Sequence, residues 1–232
     1  MSPEELQSRL LYRDACVLVL DKPAGIAVHK GPKYRDNPDG DLEAYFDALR
    51  FGLPRPPALA HRLDRDTSGC LVLGRHRKAL ETLALLFKQG RIGKTYWAVV
   101  EGAPAAEAGL IDLALGRLDA KRGWRMKADP AGLPARTRWR VLGRGLASDG
   151  SPLAFLALEP LTGRTHQLRV HCAAAGWPIL GDPVYGAGAR GGAEGLQLHA
   201  RTVTIPFSPQ RDPIRVEAPA PAHMRAALAA CA

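Results

Sequence analysis

Short apolar runs separated by turn residues dominate the chain, and they predict more strands than helices. Runs or alternations of apolar residues predict strands at residues 16–20, 26–29, 70–73, 95–100, 110–115, 135–142, 152–158, 196–205 and 214–216. Apolar residues at helical spacing predict helices at residues 42–51, 78–89, 166–175 and 222–230, with Thr165 as the cap of the third. Because most predicted strands are joined by short turns, the pattern indicates an α+β fold with a mixed, mainly antiparallel sheet flanked by helices.

No internal repeat or interior linker interrupts this pattern, so we expect one domain spanning residues 1–232. The Gly/Ala-rich stretch at residues 186–195 predicts a flexible loop. No apolar run reaches the ~18 residues that a membrane-spanning helix needs, and residues 1–14 lack the apolar segment of a signal peptide. The four scattered cysteines form no C-x-x-C pair. We therefore expect a cytoplasmic protein without a disulfide framework or a structural zinc site.

Positive charge is concentrated in one window of the sequence. The chain carries 32 basic and 23 acidic residues, a net charge of +9. Residues 117–144 hold nine basic residues against Asp119 and Asp129, so this window accounts for +7 of that charge. Within it, Arg136 and Arg138 alternate with Trp139 and other residues, so their side chains should emerge on one face of a strand. Such a face favours a polyanionic partner, although an abundance of arginine is also typical of a GC-rich genome.

The segment HRLDRDTSG at residues 61–69 brings cations and carboxylates together before a predicted buried strand. Arg62 and Arg65 are near neighbours of Asp64 in sequence, so we expect this carboxylate to remain ionised and available as a nucleophile or base. The alternative is a polar turn in which Asp66 and Thr67 serve only the fold.

Two further segments contain candidate functional residues. In residues 161–171, His166 and Arg169 are three apart on a predicted helix, and Arg169 could pair with a carboxylate. His166 and His171 are five apart, which disfavours a zinc site, and simple hydrogen bonding at a helix surface is the alternative. In residues 93–102, Tyr96 and Trp97 should face opposite sides of a strand, where one ring could stack on a base or both could serve the core.

Taken together, these segments resemble the motifs of the RluA-type pseudouridine synthases. Residues 61–69 resemble the family's HRLDxxTSG motif, and DKPAGIAVH at residues 21–29 is similar to its first motif. The segments KTY (94–96), GRTHQLRVH (163–171), ILGDPVYG (179–186) and QLHA (197–200) follow in the family's order. Many relatives begin with an S4 RNA-binding domain, and the first motif here starts by Asp21. The resemblance therefore points to the short branch that contains the catalytic domain alone.

The resemblance implies an enzyme that converts uridine in ribosomal or transfer RNA to pseudouridine within a central RNA-binding cleft. No cofactor or metal is implied. Asp64 matches the essential aspartate, which either attacks the anomeric carbon or removes a ribose proton. Arg169 matches the arginine that pairs with that aspartate, and Tyr96 matches the tyrosine stacked on the target base.

The resemblance also implies residues that bind the RNA. Leu168 resembles the apolar residue that packs on the other side of the target base, and Arg62 the arginine that fills the gap left by the extruded nucleotide. His61, in the same motif, is grouped with these substrate-binding residues. Arg136 and Arg138 would contact the RNA backbone. We expect a monomer without an obligatory protein partner or membrane.

Two other classes of protein fit the same residues less well. A non-catalytic RNA-binding protein would keep the basic face but would not need Asp64, Tyr96 and Arg169 together. A sugar hydrolase would need a second carboxylic acid, for which Asp66 is the nearest candidate, and would leave the basic face without a function.

Overall fold

The computed structural model describes residues 1–29, 41–119, 125–186 and 195–232, which divide into two compact units. Unit 1 comprises Met1–Gly93 and Ala200–Pro219, and unit 2 comprises Lys94–His199 and Ala220–Ala232. Most of the predicted loop at 186–195 lies outside the described residues, as do Lys121, Arg122 and Trp124 of the basic window. The expectation of one domain over the whole chain stays a prediction.

Twelve strands, four α-helices and two 3₁₀ helices form the described parts of the chain. In chain order they are α1 (Pro3–Ser8), β1 (Leu10–Arg13), β2 (Val17–Lys22), a 3₁₀ helix (Leu42–Leu49), β3 (Ala58–Leu59), β4 (Ser68–Gly74), α2 (Arg77–Lys88), β5 (Gly93–Glu101), β6 (Ala108–Asp112), β7 (Leu115–Arg117), β8 (Met126–Ala128), β9 (Arg136–Leu146), β10 (Pro152–Pro160), α3 (Gln167–Ala174), β11 (Leu198–Ile205), β12 (Ile214–Glu217), a 3₁₀ helix (Ala222–Met224) and α4 (Arg225–Ala229).

Unit 1 is organised around two buried central strands. β2 pairs antiparallel with both β1 and β4, β3 adds to β4, and β12 pairs antiparallel with β11. All seven residues of β4 are buried, as are residues 17–20 of β2. Protein therefore covers both faces of these strands, which explains why the sequence shows continuous apolar runs there rather than alternation. The buried strand predicted at residues 70–73 is confirmed.

Unit 2 contains a four-stranded antiparallel arrangement in the order β5-β10-β9-β6, together with the hairpin β7–β8. β9 and β10 share the longest pairing, and their register shifts once, between Phe155 and Leu156. The C-terminal segment approaches β9 closely, since a Cβ on Gly143 or Gly145 would overlap the carbonyl oxygen of Cys231 or Ala230. The mainly antiparallel α+β architecture predicted from the sequence is confirmed.

The helix α3 begins one residue later than predicted, and Thr165 is not its cap. His166 occupies the cap position in a left-handed conformation with φ 53° and makes no capping bond through its side chain. Gln167 stabilises this turn instead, because its Oε1 accepts hydrogen bonds from the Arg164 amide (3.0 Å) and the Thr162 hydroxyl (2.7 Å). Residues 167–172 are all buried, so α3 is a core helix with no wide polar face.

Two predicted strands differ from the structure, and the helix α1 and the strands β1, β3 and β8 were not predicted. Residues 26–29 form no strand, and the strand expected at 110–115 is two, because the chain leaves β6 at Asp112 and then pairs Leu115 with Leu133. The missed helix α1 carries a readable signal, since Ser2 caps it at the Glu5 amide and Pro3 opens it. None of the helices in the described ranges is long and apolar enough to cross a membrane.

A buried hydrogen-bonded chain connects α3 to β9 in unit 2. The Nε2 of His171 lies 3.0 Å from the Leu113 carbonyl, and its Nδ1 lies 2.9 Å from the Thr137 hydroxyl. Because a carbonyl only accepts, Nε2 carries the proton and Nδ1 accepts from Thr137, whose oxygen accepts in turn from Gln167. Burial lowers the pKa of His171 below its ordinary value, so the ring is neutral near pH 7 and carries its single proton on Nε2.

This burial predicts that acid destabilises the protein through His171. The unfolded chain takes up a proton near pH 6.5, whereas the folded chain does so only at lower pH, so the free energy of unfolding should fall as pH falls below 6.5. Chemical denaturation between pH 7.5 and 5 checks this. His171→Gln should take up about one proton fewer on unfolding in that range. An unchanged pH dependence in the variant would contradict the assignment.

Candidate active site

The loop that contains Asp64 connects β3 to β4 in unit 1 and has a fixed backbone. Its Leu63 side chain is buried, Asp64 is half-buried, and the Asp64 carbonyl accepts a hydrogen bond from the Thr67 amide at 3.2 Å. The loop ends at Gly69, where φ is +102° and an added Cβ would lie 2.3 Å from the Ala200 carbonyl oxygen. Only glycine fits that position, which gives the TSG part of the motif a structural reason.

Lys22, at the end of β2, holds this loop from the buried side. Its Nζ donates to the Arg65 carbonyl at 2.8 Å and to the Pro23 carbonyl at 2.7 Å, and the side chain is fully buried. The Gly25 amide also donates to the Arg65 carbonyl, at 2.9 Å. Burial lowers the pKa of Lys22 to about 7, while the Asp66 and Asp64 carboxylates act in the opposite direction. The carbonyl that immediately follows Asp64 is thus fixed by two donors.

The other charged residues of this loop make contacts of their own. Arg65 forms hydrogen bonds to Asp66 through Nε (3.0 Å) and Nη2 (3.4 Å), so its charge is paired with the second carboxylate of the loop. Arg62 is exposed. His61 takes part in the fold, since its Nε2 accepts from the Val72 amide at 3.0 Å and its ring stacks on Phe87.

In unit 2, α3 carries Arg169 into a buried, two-pronged ion pair. Its Nε and Nη2 each lie 2.7 Å from a different oxygen of Asp182, and the two side chains are 5% and 0% exposed. Although burial alone raises the pKa of Asp182, the hydrogen bonds and the charge of Arg169 outweigh it, and the pKa is lowered. A planar fork of this kind fixes the orientation of the guanidinium as well as its position.

Asp182 and Tyr185 extend this ion pair into a network. Oδ1 of Asp182 also accepts from the amides of Val184 (2.8 Å) and Tyr185 (3.0 Å). The Tyr185 ring lies beneath the Arg169 guanidinium at 5.2 Å, and its hydroxyl accepts from the Met126 amide at 2.9 Å and lies 2.8 Å from Nδ1 of His166. The segment ILGDPVYG therefore connects Arg169, the start of α3 and the hairpin β7–β8 within unit 2.

The other predicted residues of unit 2 lie on β5, α3 and β9. Tyr96 is buried on β5, Leu168 is buried on α3, and Arg136 and Arg138 are exposed on β9 with Thr137 buried between them. The alternating face predicted for this strand is confirmed. The structure places Leu168 and Arg169 on the same helix, α3. The loop in unit 1 contains Asp64, Arg62 and His61. The catalytic and RNA-binding roles of all these residues stay predictions.

Acidic residues that are distant in sequence lie opposite the basic strand. Asp112 of β6 is the register partner of Arg136, and Glu159 of β10 is the partner of Arg138. Arg144, further along β9, forms an ion pair with Glu107 at 2.7 Å. The net positive charge of this face is therefore smaller than the count over residues 117–144 indicates.

A sequence profile of the RNA pseudouridylate synthase family matches residues 16–174. A Zymomonas mobilis protein named as an uncharacterised RNA pseudouridine synthase is 43% identical over 218 residues, covering 93% of this chain and 95% of that protein. The ribosomal large subunit pseudouridine synthase C of Vibrio cholerae is 34% identical over 230 residues, covering 97% and 69%. The human RNA pseudouridylate synthase domain containing 1 is a similar solved structure, with a TM-score of 0.76 and 32% identity, covering 94% of this chain and 85% of that one.

The chain therefore belongs to the RNA pseudouridylate synthase family, a class of isomerases that modify RNA. Its relatives include the ribosomal large subunit synthases, so it is an RluA-type RNA pseudouridine synthase. The resemblance inferred from the motifs is confirmed.

Sequence reasoning missed three residues that shape the site, namely Lys22, Asp182 and Tyr185. All three lie inside segments that match family motifs, so a signal for them was present. Their roles depend on contacts across 13 to 59 positions of sequence, such as Arg169 with Asp182, Lys22 with Arg65 and Tyr185 with Met126. No local pattern shows such contacts.

Asp182→Asn should destabilise the protein strongly, because it removes the negative charge that is bound to both Nε and Nη2 of the buried Arg169 guanidinium. We expect a loss of about 3–5 kcal/mol in the free energy of unfolding, measured by chemical denaturation. The control is Glu217→Gln, which weakens the surface ion pairs of Glu217 with Arg201 and Arg215 and should cost about 1 kcal/mol or less. A loss for Asp182→Asn no larger than that of the control would contradict a structural role for the pair.

Proposed function

We propose that this synthase acts through Asp64 on uridines of large-subunit ribosomal RNA. The observation that carries the role of Asp64 is its place in a loop fixed by the buried Lys22, with a side chain that remains partly accessible. A catalytic group held this way needs little reorganisation when the substrate arrives. The names of the Vibrio cholerae and Haemophilus ducreyi relatives favour ribosomal over transfer RNA.

The proposed reaction is an isomerisation in which atoms are conserved. The bond between N1 of uracil and C1′ of ribose breaks, the base rotates, and C5 bonds to C1′. The proton leaves C5, and N1 gains one, so no cofactor is consumed. Asp64 either attacks C1′ as a nucleophile or removes a ribose proton to give a glycal, and both routes are consistent with a carboxylate at this position.

The remaining roles follow the family resemblance. Tyr96 stacks on the target base, Leu168 packs on its other side, and Arg169 supports the anionic form of Asp64. Arg62 fills the gap in the RNA that base extrusion leaves, and His61 supports the same loop. Because Arg65 binds both oxygens of Asp66, that carboxylate is poorly placed to serve as the proton donor that a hydrolase would need. We propose a monomer that works in the cytoplasm.

The test is incubation of the purified chain with unmodified transcripts of large-subunit ribosomal RNA and of transfer RNA. Mass analysis of the nucleosides measures pseudouridine, and chemical mapping locates it. We expect pseudouridine in the ribosomal transcript. Modification of transfer RNA alone would overturn the proposed substrate, and a complete absence of pseudouridine would overturn the activity.

Asp64→Asn should abolish conversion while leaving RNA binding intact, because the amide keeps the shape of the side chain but loses its charge and most of its nucleophilicity. We expect less than about 1% of the wild-type rate and a dissociation constant within about threefold. Asp66→Asn, which changes the other carboxylate of the loop, is the matched control and should retain most activity. Substantial conversion by Asp64→Asn would show that another group performs the chemistry.

The double variant Arg136→Gln, Arg138→Gln should bind RNA more weakly and with a weaker dependence on salt. Each lost phosphate contact on a single strand reduces the slope of log affinity against log salt by about 0.7. Titrations between 50 and 300 mM salt check this. Arg77→Gln with Arg215→Gln removes two exposed charges elsewhere, both in ion pairs, and serves as the matched control. Equal slopes in the two double variants would place the RNA path away from β9.

A further inference from the structure

Unit 2 contains an open cavity of about 460 Å³ beside the hairpin β7–β8. Apolar side chains from Leu115, Met126 and Leu133 line it, together with Arg117, Arg164 and the backbone of Gly163. A volume of this size falls in the range of small-ligand sites. We call this cavity the hairpin pocket. None of the residues assigned above to the conversion of uridine lines it.

The apolar side of the hairpin pocket is rigid and partly uncovered. Leu115 is buried in a core cluster with Ala135 and Val170, against which Met126 packs. Leu133 exchanges two backbone hydrogen bonds with Leu115, at 2.8 and 2.9 Å, yet its side chain is 60% exposed. An apolar surface on a fixed backbone suits a flat, apolar partner such as the face of a base.

The other side of the hairpin pocket carries two positive charges. Nε of Arg164 donates to the Pro134 carbonyl at 3.1 Å, which anchors the guanidinium beside the cavity. Arg117 is exposed at the end of β7. Among the residues that the structure describes, no carboxylate lies within ion-pair distance of either guanidinium. Two cations that form no ion pair with a described carboxylate, beside an apolar surface, are suited to a ligand that is both planar and anionic.

We propose that the hairpin pocket binds an unpaired nucleotide of the RNA substrate, one other than the uridine that is converted. Its base would lie on Leu133 and Met126, and its phosphate would contact Arg117 or Arg164. Arg164 precedes His166 and α3, the helix that bears Leu168 and Arg169, so the bound nucleotide would belong to the same RNA loop as the target. This inference rests on the proposed function, since it assumes an RNA substrate.

Gly163 offers a way to fill the hairpin pocket without disturbing the fold. An added Cβ at this position meets no heavy atom within 4 Å, and its φ lies outside the left-handed region. Because Gly163 lines the hairpin pocket, Gly163→Leu should reduce the space that is available to the base. Gly163→Ala, which adds a single carbon atom, is the matched control, and both variants should unfold at temperatures close to that of the wild type.

The experiment uses a stem-loop of large-subunit ribosomal RNA that contains the mapped uridine. Each unpaired nucleotide in turn is replaced by an abasic one, and dissociation constants are measured with Asp64→Asn protein. At one position near the target, we expect an abasic nucleotide to weaken binding about tenfold when residue 163 is Gly or Ala. With Gly163→Leu the same replacement should change affinity less than twofold, because the leucine side chain already excludes the base from the hairpin pocket.

Two results would overturn the inference. One is that, at every position, an abasic nucleotide weakens the binding of Gly163→Leu and of Gly163→Ala by the same factor. The other is binding of free uridine monophosphate that Gly163→Leu abolishes, without any position-specific abasic effect, which would assign the hairpin pocket to a free nucleotide. Conversion of the intact stem-loop by the wild-type protein is measured separately. Failure of that conversion counts against the proposed function. Normal conversion, together with the same loss of affinity from abasic nucleotides in both variants, counts only against the proposed role of the hairpin pocket.

Discussion

The buried ion pair between Arg169 and Asp182 is the interaction on which the site in unit 2 depends. A guanidinium that is 5% exposed is tolerable only with a carboxylate bound to it, and Asp182 binds it with both oxygens. The same Asp182 holds the amides of Val184 and Tyr185, and Tyr185 in turn contacts His166 and Met126. One network of contacts that begins at this ion pair thus connects the start of α3, the GDPVYG turn and the hairpin β7–β8.

Unit 1 meets a related requirement in a different way. Lys22 is as deeply buried as Arg169, but its hydrogen bonds go to main-chain carbonyls, with the Asp64 and Asp66 carboxylates acting over a distance. Burial removes the ammonium group from water and lowers its pKa to about 7, because the two carboxylates offset only part of that effect. In return, the loop that bears Asp64 is anchored through its backbone.

Much of the fold could be predicted because its signals are local. A continuous run of apolar residues predicted β4, and apolar residues at helical spacing predicted α2. The alternation of arginine with other residues predicted the exposed face of β9. The errors occur where the conformation of a single residue sets the boundary of an element. At His166, a left-handed conformation makes α3 begin at Gln167 rather than directly after Thr165. For the site, the ordered motifs identified the segments. The partners of their charged residues depend on tertiary contacts, and therefore Asp182 and Lys22 were found only in the structure.

The charge available for binding RNA also depends on tertiary contacts that the sequence does not show. Counting charges along residues 117–144 treats every cation as available, but sheet pairing brings Asp112 and Glu159 opposite Arg136 and Arg138. Arg144 and Lys127 also lie close to carboxylates. A phosphate competes poorly for a paired cation and well for one without a counter-charge. In the part of the window that the structure describes, the number of basic residues therefore overstates the positive charge that is available to an anionic partner.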